Sequence, residues 1–325
     1  MTNFPKATYL SQSCEEVTVM SLTIATLNLC NYCAPPYCFY DFESSYTKSQ
    51  WQQKQSWLFE LLNATSPDVV CFQEVFSLNE LSDLISPLGL CHFATCDEAV
   101  LDANNPYLFK RPIVVIAAKY PLTNVRRINH PSFLQMAPLS REVINCEMEH
   151  PKYGHIRLYG THLKSKRATD FVEEHPKYQT MPADCIQHIG RLLSDKQRSD
   201  EAMALYFDFI TQQVSNPLAT FVMGDFNQQA IQSNLAFFTE HTEFKDNLDV
   251  DLKLLDSFYL SSLLTRKPTH YYYGNGSVLD YIVCPESILS QLNLKELNFN
   301  VLDSHISQDE INVATDHAMV TITLC

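Results

Sequence analysis

Residues 67–75, PDVVCFQEV, carry an apolar run from Asp68 to Phe72 that stops abruptly at Gln73 and Glu74. The run is short, rich in β-branched residues and preceded by Pro67, so it reads as a buried strand. The same pattern recurs outward in both directions. Strands are expected from Val17 to Leu27, Asp68 to Phe72, Pro112 to Ala118, Glu142 to Met148, Ile156 to Thr161, Ala219 to Gly224, Val278 to Cys284 and Ala318 to Leu324. Two amphipathic helices lie between them. One runs from Thr47 to Asn63 with Trp51, Leu58, Leu61 and Leu62 on one face; the other runs from Ser199 to Val214 with Ala202, Leu205, Tyr206, Phe209 and Ile210. Sheets covered by helices are the layered solution for such an order, an α/β class fold. No repeat or linker divides the chain, which predicts one domain over residues 1–325 with its core from about residue 18. Residues 164–199 form a polar excursion with Pro176 and Pro182, read as a long loop between a strand and a helix.

Composition narrows the function classes. The chain has 325 residues, 46% hydrophobic and 18% charged, which excludes disorder, collagen and coiled coil. Against 37 Asp+Glu stand 23 Lys+Arg, a net charge of −14. Such a surface repels phosphate backbones and anionic membranes, so nucleic-acid binding needs a local basic patch or a bridging cation. The longest clear apolar run, Pro112 to Ala118, falls far short of the ~20 residues that cross a bilayer, so no transmembrane segment is expected. The first residues, with Pro5, Glu15 and Glu16, lack the apolar centre of a signal peptide. Eleven cysteines scattered through apolar segments predict thiols and a cytoplasmic location, export without a cleavable signal remaining open. The spacings Cys30, Cys33, Cys38 and Cys91, Cys96 read as loop and core thiols, since Pro35 and Pro36 interrupt the first and neither supplies two clean ligand pairs.

The polar residues at the strand ends carry the chemistry. Asn28 follows the first strand, Glu74 the second, His162 the strand ending at Thr161, and Asp225-Phe226-Asn227 the strand ending at Gly224. Asp280 lies within another strand, and Asp316-His317 precede the last. Strands lying side by side would gather these groups into one site. Glu74 suits a hard divalent cation, or is simply the first loop residue. Asp225 and Asn227, two apart, face the same way in extended backbone, as base and donor; the competing reading is an Asx turn. Asp280 can fix the tautomer of an imidazole, and His317 can then orient or deprotonate water or stabilise a phosphate. His162 can donate to a phosphate or protonate a leaving oxygen.

Six blocks taken in order resemble the endonuclease/exonuclease/phosphatase superfamily, the fold of the pancreatic-type deoxyribonucleases. They are TLN at 26–28, PDVVCFQEV at 67–75, GTHLKS at 160–165, MGDFN at 223–227, LDYI at 279–282 and TDHAMV at 315–320. The resemblance implies a four-layer α/β sandwich, two packed mixed sheets flanked by helices, and a phosphate-ester hydrolase using Mg²⁺ or Mn²⁺. It implies Glu74 as the main metal ligand, Asn28 beside it, and Asp316 as an outer or second metal contact. It further implies Asp225 as the group that positions or activates water, Asn227 on the phosphoryl oxygens, Asp280 and His317 as a carboxylate–imidazole pair, and His162 on the phosphate or leaving-group side. Four carboxylates would repel a phosphate, so the charge count of such a site itself requires a cation.

Substrate residues are less marked. Lys164, Lys166, Arg167, Arg191 and Arg198 form a candidate basic rim, with Lys164 aimed like His162 by strand alternation, and Arg141 resembles an arginine that some relatives turn to a phosphate. Tyr271, Tyr272 and Tyr273 precede a Gly274-Asn275-Gly276 turn and read as hairpin aromatics or as a stacking surface. The acidic chain favours a phosphorylated substrate that is small or a lipid headgroup. A nuclease of the same mechanism is the second expectation, and a catalytically silent binding module the third.

Overall fold

A computed structural model describes residues 21–41, 43–230, 233–236, 252–306 and 313–325. Residues 17–20 of the first expected strand, and the segment judged for a signal peptide, lie outside the described residues. Two six-stranded sheets dominate. The first is ordered Leu297–Leu302, Met319–Leu324, Leu22–Tyr32, Val69–Val75, Ile113–Ala118, His92–Ala94. The second is ordered Leu254–Asp256, Asp280–Pro285, Ala219–Asp225, Gly154–His162, Ile144–His150, Leu122–Arg127. Both are mixed: Leu22–Tyr32 runs parallel to Val69–Val75 and antiparallel to Met319–Leu324, and Gly154–His162 runs parallel to Ala219–Asp225.

Alternation along each strand explains the near-continuous apolar runs. Ile24, Val69, Cys71, Val114 and Ile116 point inward, where they meet Cys146, Leu158, Phe221, Met223 and Ile282 of the second sheet. Their neighbours Ala25, Leu27, Val70, Phe72 and Val115 point outward and pack under Trp51, Leu58 and Leu62 of the helix Lys48–Thr65 and Leu81 and Ile85 of the helix Leu78–Ile85. On the far side Tyr159, Val222 and Val283 pack under Ala202, Leu205 and Phe209 of the helix Ala183–Ser215. Helix, sheet, sheet, helix gives the expected four layers, with strands buried on both faces. Each fully buried Val, Leu or Phe contributes about 1.5–3 kcal/mol.

The first helix starts where the sequence places it, because Thr47 and Gln50 form a capping box, and it ends at Ser66 in the left-handed region. The second begins sixteen residues earlier than expected, at Ala183 instead of Ser199. Its added turns bury Gly190, Ser194 and Arg198, a stripe that is small or polar, so no apolar period announces it. Gly190 is needed there, since a Cβ would lie 2.6 Å from the Thr169 carbonyl oxygen. The excursion is thus a loop only as far as Pro182. A hairpin forms there, His270–Tyr272 pairing with Asn275–Ser277, but its turn is Tyr273-Gly274, and Asn275 and Gly276 lie in the second strand instead of the turn. No disulfide joins the described cysteines, and no described helix is long and apolar enough to cross a membrane.

Candidate active site

Sheet register assembles the centre of the site. Parallel pairing sets His162 opposite Asp225, and antiparallel pairing sets Asp280 opposite Asp225 on its other flank, so three polar residues stand in one row. Gly224 makes the row tight: at φ 153, a Cβ there would come within 1.9 Å of the Thr161 carbonyl oxygen. From the facing sheet, Asn28 Nδ2 donates to Asp225 Oδ2 (3.0 Å). His162 Nε2 lies 3.5 Å and His317 Nε2 3.9 Å from the same oxygen. His317 Nδ1 donates to Asp280 Oδ2 (2.9 Å), which also accepts from Thr269 Oγ1 (2.7 Å). Thr315 Oγ1 ties the segment before the last strand to the first strand, donating to the Asn28 carbonyl (2.8 Å) and accepting from His317 N (3.1 Å). Thr269 and Thr315 were not singled out in the sequence, although Thr315 opens the TDHAMV block.

All five polar groups at this junction are buried, and burial shapes their protonation. It raises Asp225 above the usual carboxylate range, with the Asp280 charge adding and His317 opposing. It pushes His162 well below the usual imidazole value, with the Arg141 and His317 charges adding. Burial alone would lower His317 too, but Asp280, Asp225 and Asp316 override it and raise the ring to about 10. His317 is therefore an imidazolium near neutral pH, a donor instead of a base.

Glu74 sits differently. Register breaks between Phe72 and Val75 and between Asn28 and Tyr32 leave Glu74 at φ 60, Cys30 at φ 47 and Asn31 at φ 62. For a non-glycine residue this conformation costs about 1–3 kcal/mol. The distorted turn brings Asn31 N to Glu74 Oε2 (2.9 Å), and no described residue donates to Oε1. Half-buried, and with one oxygen uncommitted, Glu74 suits a hard cation. Asp316 is half-exposed; burial would raise it, but His270 and His317 hold it well below the usual carboxylate range. Glu74 does not fall in one tight ligand group with Asp316, which groups instead with His270 and His317.

Lys54 was missed by the sequence reading. Its ammonium is 1% exposed and donates to the carbonyls of Cys30 (3.2 Å), Val313 (3.2 Å) and Ala314 (2.5 Å), fastening the distorted turn to the segment that leads to Asp316. Burial lowers Lys54 to about 8, against the charges of Cys30, Glu74 and Asp316. A lysine amid glutamines on a helix gives no signal of such a role.

Three expectations at the rim need correction. Asn227 does not share an extended face with Asp225: it adopts φ 53, its N–H caps Asp225 Oδ1 (2.7 Å) in an Asx turn, and its Nδ2 donates to the Leu163 carbonyl (3.0 Å). Lys164 is not aimed by alternation, because the strand ends at His162. Arg198 is 1% exposed and pairs with Asp195, Gln228 and the Lys164 carbonyl, so it braces the loop and leaves the rim. Glu201 accepts from Ser140 N (2.7 Å) and Lys164 N (2.7 Å), holding together the loops that carry Arg141 and Lys164. Two buried nitrogens here have no partner among the described residues, Arg141 Nε and His162 Nδ1.

The model of the Endonuclease/Exonuclease/phosphatase family matches residues 25–317. No curated protein matches the chain in sequence. Among solved structures, truncated TDP2 from Caenorhabditis elegans superposes with a TM-score of 0.58 at 13% identity, covering 94% of this chain and 97% of that one. The human Nocturnin catalytic domain with bound sulfate gives 0.55 at 16%, covering 94% of each. An AP endonuclease from Archaeoglobus fulgidus gives 0.54 at 12%, covering 93% of this chain and 98% of that one. At these identities the likeness concerns the fold.

Proposed function

The chain belongs to the endonuclease/exonuclease/phosphatase family, and from that premise we propose that it hydrolyses a phosphate ester by attack of water, with Mg²⁺ or Mn²⁺ bound. Family members are hydrolases of phosphate esters. The observation that carries the reading is the junction at Asp225, where one raised carboxylate meets Asn28, His162 and His317. Beside it the unpartnered Nε–H of Arg141 suits an anion.

Each residue then has a task. Glu74 would hold the cation, with Asn28 beside it; their oxygen donors fit a hard ion. A cation held there would supply positive charge against the phosphoryl oxygens. Asp225, oriented by Asn28 Nδ2 and Asn227 N, takes the proton of the attacking water. Asp280 holds His317 with its proton on Nδ1, leaving Nε2–H to donate to a phosphoryl oxygen as charge develops. His162, neutral in its buried setting, donates on the leaving-group side, and Arg141 with Lys164 draws in the phosphate. Asn227 acts through Asp225 and the Leu163 loop.

The substrate class follows from charge. A net charge of −14 and only a small basic group around Arg141, Lys164 and Arg167 favour a small phosphodiester, a monoester or a lipid headgroup over a long polyanion. The AP endonuclease among the structural neighbours supports a nuclease as the second reading. The test is Mg²⁺- and Mn²⁺-dependent turnover of bis-p-nitrophenyl phosphate and p-nitrophenyl phosphate by wild type, His317→Ala and Glu74→Ala. Hydrolysis that needs the metal and both residues is expected; equal turnover in wild type and variants would sink the reading. A steep loss of turnover of an oligonucleotide with salt, where the small esters show none, would favour the nuclease.

A further inference from the structure

His270 belongs to none of the blocks that predicted the site, yet it stands against two of its residues, Asp316 and His317. Its Nε2 lies 3.4 Å from Asp316 Oδ2, and His317 Nε2 lies 3.9 Å from Asp316 Oδ1. One ligand atom from each of the three residues falls within 4.8 Å of the other two. A tetrahedral transition metal, with bonds of about 2.0–2.2 Å, keeps neighbouring ligand atoms about 3.4 Å apart. Two of the three pairs, at 3.4 and 3.9 Å, stand near that spacing, and the third lies within 4.8 Å.

Their backbones are fixed as well. His270 and His317 form a β-bridge, Tyr271 N donates to the Asp316 carbonyl (3.1 Å), and Ala318 N donates to the Thr269 carbonyl (2.6 Å). The hairpin strand and the segment before the last strand are therefore stitched together on both sides of the triad. The two imidazoles lie side by side, centroids 4.6 Å apart, and both present Nε2 to one carboxylate. A simple ion pair needs only His270 and Asp316; it does not call for a second ring aimed at the other oxygen. Asp280 supplies the outer carboxylate on His317 Nδ1 (2.9 Å), the arrangement that orients metal-bound histidines. Two imidazoles and one carboxylate suit zinc and its neighbours, whereas Mg²⁺ prefers oxygen.

We propose that His270, Asp316 and His317 form a binding site for Zn²⁺ or a similar transition-metal ion, distinct from the cation at Glu74, and that filling it inhibits the enzyme. Occupation takes Nε2 of His317 and displaces its proton, so the ring can no longer donate to a phosphoryl oxygen. The inhibition rests on the proposed hydrolase; the binding does not.

The experiment is calorimetric titration of Zn²⁺ into the full chain in saturating Mg²⁺, for wild type, His270→Gln, His270→Asn and Glu74→Gln, each checked for folding by thermal melting. One Zn²⁺ per chain is expected in wild type and in Glu74→Gln, with affinity at least about tenfold weaker in whichever His270 variant is folded. In parallel, Zn²⁺ should inhibit wild-type ester hydrolysis, with the inhibition curve shifted about tenfold in the His270 variants. Equal affinity in wild type and the His270 variants, or loss of binding in Glu74→Gln, overturns the site. If no protein shows turnover with any metal, the hydrolase reading fails while the titration still decides the zinc site.

Discussion

The two sheets deliver their functional groups in opposite ways. The second sheet presents His162, Asp225 and Asp280 as one unbroken row, every member buried and placed by register. The first presents Asn28 and Glu74 across two register breaks, with Glu74, Cys30 and Asn31 in the left-handed region and Lys54 holding the turn from beneath. A rigid row of buried groups fixes protonation and hydrogen-bond direction, which proton transfer requires. A distorted, half-buried turn leaves a carboxylate oxygen uncommitted, which cation binding requires. On the proposed reading, regular register serves the proton and strain serves the metal.

Substitutions in the row should give the largest effects. Asp225→Asn keeps the shape and removes the base, so kcat should fall about 10²–10⁴-fold with little change in melting temperature. The acid limb of the wild-type rate profile should lie above the usual carboxylate range, because burial raises Asp225. A limb unchanged in Asp225→Asn would assign the proton to another group. Under the distorted turn, Lys54→Met leaves the Cys30, Val313 and Ala314 carbonyls without their donor. That should destabilise the fold by about 1–3 kcal/mol and weaken Mn²⁺ binding, while Lys54→Arg restores part of both; denaturant melts and metal titration check it.

Legibility follows the same divide. The row was readable because strands buried on both faces are continuous apolar runs, and a His or Asp ending such a run stands out. Lys54 and His270 were not, since one sits among glutamines on a helix and the other opens a tyrosine hairpin. The start of the long helix stayed hidden because Gly190, Ser194 and Arg198 replace the apolar stripe. Edge strands such as Val100–Asp102 and Leu122–Arg127 are largely exposed and lack a buried pattern. Leu297–Leu302 did carry one, with Leu297, Phe299 and Val301 inward and Asn298 and Asn300 exposed, and the sequence reading missed it all the same.

Smaller effects probe the rim and the titration of the row. Glu201→Gln loosens the two loops carrying Arg141 and Lys164, so KM for a phosphorylated substrate should rise about threefold to tenfold with kcat nearly constant. An unchanged KM would show that these loops hold their places without it. His162, lowered by burial, binds fewer protons folded than unfolded between its lowered value and about 6.5, so stability is full above that window and falls with acid through it. Melting temperature against pH should show that acid loss in wild type and a smaller one in His162→Asn; parallel curves would contradict the buried neutral ring.

The division of labour between the two sheet ends is tested most directly by titrating Mn²⁺ into wild type, Glu74→Gln and Asp225→Asn under one condition and following bound ion by electron paramagnetic resonance. Affinity should fall about tenfold to a hundredfold in Glu74→Gln and stay within about threefold of wild type in Asp225→Asn. Equal losses in both variants, or a loss confined to Asp225→Asn, would contradict a first sheet that holds the metal and a second that moves the proton.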